Sequence, residues 1–198
     1  MAKIIEGNIK DASYPRTLHK QLSSLGYAPD LFDVEQLPGG FLLLVLEFLN
    51  PADGWMSLEK FDDATTSPEM LQAACLGALK SLQTCLDGKA VHGDLRSPNV
   101  FISKSDERLK VKFIDFDWCG VEGEAVYPPF MNREVERNIN ADPVGMNITQ
   151  DHDRDLFMRS ISLCPVVRRG AVRSNAIRAK AALVHASYSK RQTLRSFK

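Results

Sequence analysis

Between Thr66 and Gly88, Leu71, Ala74, Cys75, Ala78, Leu79, Leu82, Cys85 and Leu86 recur at three- and four-residue steps, with polar residues between them. This spacing predicts one long helix with a single apolar face, ending near Gly88. Thr66-Ser67-Pro68-Glu69 fits its start, with Thr66 expected as the cap and Glu69 returning the hydrogen bond. Pro68 is harmless in a first turn, where no backbone donor is needed. Upstream the pattern shifts to short apolar runs, Leu31 to Leu37 and Phe41 to Phe48, joined by Pro38-Gly39-Gly40. They predict an antiparallel hairpin. Within Tyr14 to Gly26, Leu18, Leu22 and Leu25 predict a short amphipathic helix. Downstream, Val100 to Ser103 and Leu109 to Ile114 flank the polar stretch Lys104-Ser105-Asp106-Glu107-Arg108, a second hairpin signature.

Two acidic motifs bracket that second hairpin. Val91-His92-Gly93-Asp94-Leu95-Arg96-Ser97-Pro98-Asn99-Val100 precedes it and Phe113-Ile114-Asp115-Phe116-Asp117-Trp118 closes it, which places Asn99 and Asp115 side by side. Each piece alone reads as ordinary structure: His-Gly-Asp as a turn, Asn99 as a strand cap, Ile-Asp-Phe-Asp as an alternating edge strand. Their joint order, after a long helix and across a hairpin, is specific. Phosphoryl transfer needs a carboxylate to orient the attacking hydroxyl and oxygen ligands for Mg²⁺, and Asp94, Asn99 and Asp115 supply such groups.

The first motif resembles the catalytic loop His-Arg-Asp-Leu-x-x-x-Asn of the protein-kinase superfamily, and the second resembles its metal-binding Asp-Phe-Gly, with Asp117 where glycine is usual. The resemblance covers about residues 1 to 160. It implies an α+β, protein kinase-like fold: a partial small lobe of β-hairpin plus helix, with the hinge, over 1–49, and a partial, mainly helical large lobe over 50–160; beyond that the chain no longer resembles the family, and its basic stretch over 161–198 is expected to be a poorly ordered tail. It also implies ATP and Mg²⁺ as cofactors. Asp94 becomes the catalytic base and Asn99 and Asp115 the Mg²⁺ ligands, with His92 bracing the loop. Arg96 has two candidate roles, neutralising the γ-phosphate or pairing with an acid of the loop.

By the same resemblance, Met1-Ala2-Lys3-Ile4-Ile5 matches the strand carrying the ATP-binding lysine, so Lys3 is the candidate partner of the α and β phosphates. Glu47-Phe48-Leu49 matches the hinge whose backbone binds adenine, and Leu46 the residue at the back of that pocket. The helix over Tyr14 to Gly26 falls where a regulatory helix would lie, without its expected glutamate. Asp155 is the expected anchor of the catalytic loop from below, with Asp153 as the competing candidate. His-Gly-Asp-Leu-Arg, Ile-Asp-Phe-Asp-Trp, the Gly-Glu-x-x-Tyr-Pro segment and Ile148-Thr-Gln-Asp-His-Asp153 together resemble a divergent group of kinase-like proteins abundant in fungi. At 198 residues the chain is short for a two-lobed kinase, and truncation at both ends is the expectation.

The formal net charge of zero conceals a split: all 25 acids lie at or before Asp155 with 15 Lys and Arg, while residues 156–198 carry 10 Lys and Arg and no acid. Such a tail suits an acidic partner, nucleic acid or the acidic body of the chain itself; an Ala-rich basic helix over 174–186 is its one patterned stretch. Cys75, Cys85, Cys119 and Cys164 lack paired metal-site spacing and read as core thiols of a reducing compartment. No membrane span or signal-peptide core is visible, which predicts an intracellular, cytoplasmic or nuclear protein. The functions in play are ATP-dependent phosphorylation of protein Ser or Thr, a non-catalytic binding module with the same scaffold, and a small-molecule phosphotransferase of aminoglycoside- or choline-kinase type.

Overall fold

The computed structural model describes residues 1–6, 14–105, 108–129, 131 and 144–172. The expected basic helix over 174–186 lies outside them, as does the tip of the second hairpin at 106–107. The described chain is α+β, built from small antiparallel sheets and helices.

Strands β1 (Ala2–Glu6), β2 (Leu31–Leu37) and β3 (Phe41–Leu46) form one antiparallel sheet in the order β1-β3-β2. The turn between β2 and β3 uses Gly39 and Gly40 at φ of 80° and 83°, a left-handed pair that disfavours any side chain. Alternation along β3 buries Leu42, Leu44 and Leu46 and leaves Phe41 exposed. Helix α1 (Arg16–Ser24) packs Leu18, His19 and Leu22 inward. Leu25, expected on that apolar face, lies beyond the helix end and is 55% exposed.

Helix α2 (Pro68–Gly88) buries Leu71, Cys75, Ala78, Leu79, Leu82 and Cys85, following the predicted stripe. Its cap is one residue later than predicted: Ser67 Oγ accepts the Met70 N–H at 3.2 Å. Thr66 instead turns its hydroxyl to Asp63 Oδ2 at 2.5 Å. Regular helix stops at Cys85, where ψ is 164°, and Leu86, Asp87 and Gly88 all have φ between 50° and 81°.

Strands β4 (Met56–Ser57), β6 (Val100–Ser105) and β7 (Arg108–Phe113) form a second sheet, and β5 (Ala90–Val91) pairs with β8 (Gly120–Val121). Helix α3 (Gln150–Leu163) starts at Thr149, whose hydroxyl accepts the His152 N–H at 3.1 Å. One continuous apolar core joins α1, β3, α2, β6, β7 and α3, so the division expected near residue 49 does not divide the core.

The tail boundary expected at residue 161 requires correction. Ile161, Cys164 and Val166 are 3%, 0% and 1% exposed in the same core. Residues 165–172 are helical, and Arg169 reaches the Asp63 carbonyl at 2.8 Å and pairs with Asp62. The packed body thus extends through these residues. Among the described residues no helix is long and apolar enough to cross a membrane.

Candidate functional site

β5 delivers the chain to His92 and Gly93, whose backbone N–H groups both donate to the buried Asp153 carboxylate, at 2.5 and 2.8 Å. Asp153, rather than Asp155, therefore anchors this loop. It shares one face of α3 with the buried Leu156, Phe157 and Ser160, at spacings of three, four and seven; that periodicity was the available signal for choosing between the two acids. Burial pushes the Asp153 carboxyl up to about 7, against the two N–H bonds that favour its ionised form. Gly93 sits at φ 82°, and a Cβ there would come within 2.8 Å of Ile148 Cδ1 and 3.1 Å of Trp118 Cβ.

His92 is fully buried. Its Nε2 lies 3.1 Å from the Ile114 carbonyl, to which it must donate, so Nδ1 is the acceptor for the Asp94 N–H at 3.3 Å. Burial pulls this imidazole down to about 4, keeping it neutral. One side chain thus ties the two motifs together, from the backbone of one to the backbone of the other.

Asp94 follows at 4% exposure. Arg96 grips both of its oxygens, Nε to Oδ1 at 2.7 Å and a terminal nitrogen to Oδ2 at 2.6 Å. Of the two roles open to Arg96, the geometry shows the pairing with an acid. Asn99 Nδ2 donates to Asp94 Oδ2 at 2.8 Å and to the Asp94 carbonyl at 3.0 Å. Two acceptors on the same atom identify it as the amide nitrogen, which leaves Asn99 Oδ1 as an oxygen donor for a cation.

The β6–β7 hairpin brings Asp115 to this corner, and the Ile114 N–H donates to the Asn99 carbonyl at 3.0 Å. Asp115 has φ 67° and ψ 64°, a left-handed conformation uncommon for a side-chain-bearing residue and concentrated at functional positions. Phe116 then turns into the core and stacks on His19 of α1 with ring centroids 4.4 Å apart. From β1, Lys3 pairs with Asp115 and places Nζ 2.9 Å from each Asp117 oxygen. Partial burial depresses the Lys3 ammonium, and the two carboxylates outweigh it, leaving it above its ordinary 10.5.

Lys3, Leu46, Asn99 and Asp115 all line one cavity of about 260 Å³. Ile114 and Phe116 of the second motif also line it, together with Tyr14, His19 and Pro29, which come from segments far from either motif and carry no local signal for the site. Asp94 and Arg96 adjoin it through Asn99. Glu47 and Leu49 are not in its lining. The Glu47 carboxylate accepts from Lys112 Nζ at 2.5 Å and from the Asp30 N–H at 3.0 Å, and its own N–H donates to the Asp30 carbonyl, so its side chain and N–H tie β7 to the residue just ahead of β2. Leu49 is buried.

Among the described residues, no group of three or more His, Cys, Asp and Glu side chains is arranged to hold a metal ion. Mg²⁺ does not require one, because it is commonly held by one or two protein oxygens together with phosphates and water. Asn99 Oδ1 and the Asp115 carboxylate fit that donor set.

No protein-family model matches this chain, and no curated protein sequence is similar to it. Among solved structures, the kinase PK-1 of the Cydia pomonella granulovirus is similar at a TM-score of 0.48 and 16% sequence identity. The match covers 64% of this chain and 47% of the viral protein, about half its length.

Proposed function

We propose that this chain is a protein kinase-like module that binds ATP with Mg²⁺ and phosphorylates Ser or Thr of a protein. One observation carries the reading: Lys3 from β1 and Asn99 and Asp115 from the two ends of the β6–β7 hairpin line a single cavity, with Asp94 joined to it through Asn99. When bound, ATP with Mg²⁺ supplies the phosphoryl group to be transferred. Asn99 Oδ1 and Asp115 would hold the cation, and Lys3 would face the phosphates. Asp94, oriented by Arg96 and Asn99, would accept the proton of the incoming hydroxyl. The buried Asp153 and neutral His92 hold the loop backbone, so the carboxylate needs little reorganisation. Ser or Thr as acceptor follows from the catalytic-loop resemblance.

A binding module without turnover is the second reading, favoured by the Lys3–Asp115 pair: the lysine sits on a carboxylate that a cation would need. Two measurements separate the readings. ATP with Mg²⁺ at about 100 times its dissociation constant should stabilise the chain by about 2.7 kcal/mol, and Asp115→Asn should abolish that magnesium-dependent shift. Phosphorylation of a protein acceptor should be lost in Asp94→Asn while the melting curve is retained. Nucleotide binding without any Asp94-dependent transfer would leave the binding module, and an absent shift in a cooperatively melting chain would overturn the kinase reading and leave the binding module alone.

A further inference from the structure

Helix α1 has the sequence Arg-Thr-Leu-His-Lys-Gln-Leu-Ser-Ser over residues 16–24, with no acid to offer Lys3. The side chain that it does present to the cavity, His19, is committed: Nδ1 lies 2.5 Å from the Tyr14 hydroxyl and Nε2 lies 2.7 Å from the Pro29 carbonyl. Lys3 is held from another direction. The single helical turn over Phe116–Trp118, closed by the Cys119 N–H to the Phe116 carbonyl at 3.1 Å, carries Asp117 back toward β1. Both Asp117 oxygens then stand 2.9 Å from Lys3 Nζ.

We propose that Asp117 is the positioning residue for Lys3, so that the lysine is aimed at a triphosphate by the metal-binding turn and not by helix α1. This rests on the nucleotide reading above. Lys3 contacts both Asp115 and Asp117, but only one of those carboxylates is needed by the cation. Were Asp115 to hold a cation, the Asp117 carboxylate two residues further on would still pair with the Lys3 ammonium beside the site. Lys3 is then coupled to the turn that carries Asp115. The pair also explains why an acid at residue 117, where the resembling motif has glycine, is an asset in this chain.

The test is nucleotide affinity of the full chain, measured with Mg-ATP, with ATP in excess EDTA and with adenosine. Wild type is compared with Lys3→Met, Asp117→Asn, Asp117→Glu and the Lys3→Met/Asp117→Asn double variant. If Asp117 acts through Lys3, Lys3→Met and Asp117→Asn each weaken ATP by about tenfold, within the range of coupling between contacting residues, and the double variant is no worse than Lys3→Met alone. Adenosine affinity stays the same, the loss persists without Mg²⁺, and Asp117→Glu recovers part of it. Multiplying losses in the double variant, a loss confined to Mg-ATP, or unchanged ATP affinity in Asp117→Asn would each overturn the assignment. Failure of wild type to bind ATP at all would instead remove the nucleotide reading on which it stands.

Discussion

His92 and Asp153 share one buried corner and titrate in opposite senses. His92 falls from an ordinary 6.5 to about 4, so its contribution to stability is complete above 6.5 and is lost as the pH drops through 4. Asp153 rises from 3.8 to about 7, so its contribution is complete below 3.8 and is lost as the pH climbs through 7. Between pH 4 and 6.5 the two slopes oppose each other. His92→Gln keeps a donor for the Ile114 carbonyl and removes the titration. Its unfolding free energy should therefore fall with rising pH relative to wild type, by up to about 1.4 kcal/mol per pH unit across that window. Urea unfolding of both proteins at several pH values reads this directly; parallel curves would show that His92 is not held neutral. These two residues also mark the limit of local reading, because a histidine in a turn and an aspartate in a first helical turn are ordinary until the fold brings their 61-residue separation to a 2.5 Å contact.

At the scale of elements, periodicity performed well and termini less so. The α2 stripe and both hairpins follow from where apolar positions and turn residues fall; β3 is apolar at every position, and only packing decides which of its sides is buried. Caps depend on one hydroxyl choosing between adjacent backbone donors, and at α2 two hydroxyls compete. Ser67 takes the helix and Thr66 takes Asp63, a partner that sequence pattern does not assign. Ser67→Ala should destabilise the chain by about 1 kcal/mol through the loss of that cap. A thermal melt of the variant checks it, and an unchanged midpoint would return the cap to Thr66.

For the molecule as a whole, the informative departure is the segment after α3. Its basic, acid-free composition pointed away from a packed element, yet Cys164 and Val166 enter the core and residues 165–172 lie against the start of α2, where a Cβ on Gly170 would meet the Pro68 ring at 2.3 Å. Val166→Ala should then cost about 2 kcal/mol for the buried methyl groups and the cavity left behind, while Val172→Ala, 69% exposed, should cost almost nothing. Chemical denaturation of the two variants makes the comparison, and equal stabilities would detach this segment from the body. The amino-acid sequence by itself determined the two hairpins, the long helix and the adjacency of Asn99 and Asp115, since local spacing and a short hairpin dictate them, whereas the two-residue strands β4, β5 and β8 carry no such spacing. Tertiary structure alone decided that Asp153 anchors the loop, that Glu47 turns to Lys112 and leaves the cavity, and that Lys3 meets Asp117. Each of these joins residues at least 60 positions apart, and which partner a charged group finds across such a distance depends on how the elements pack.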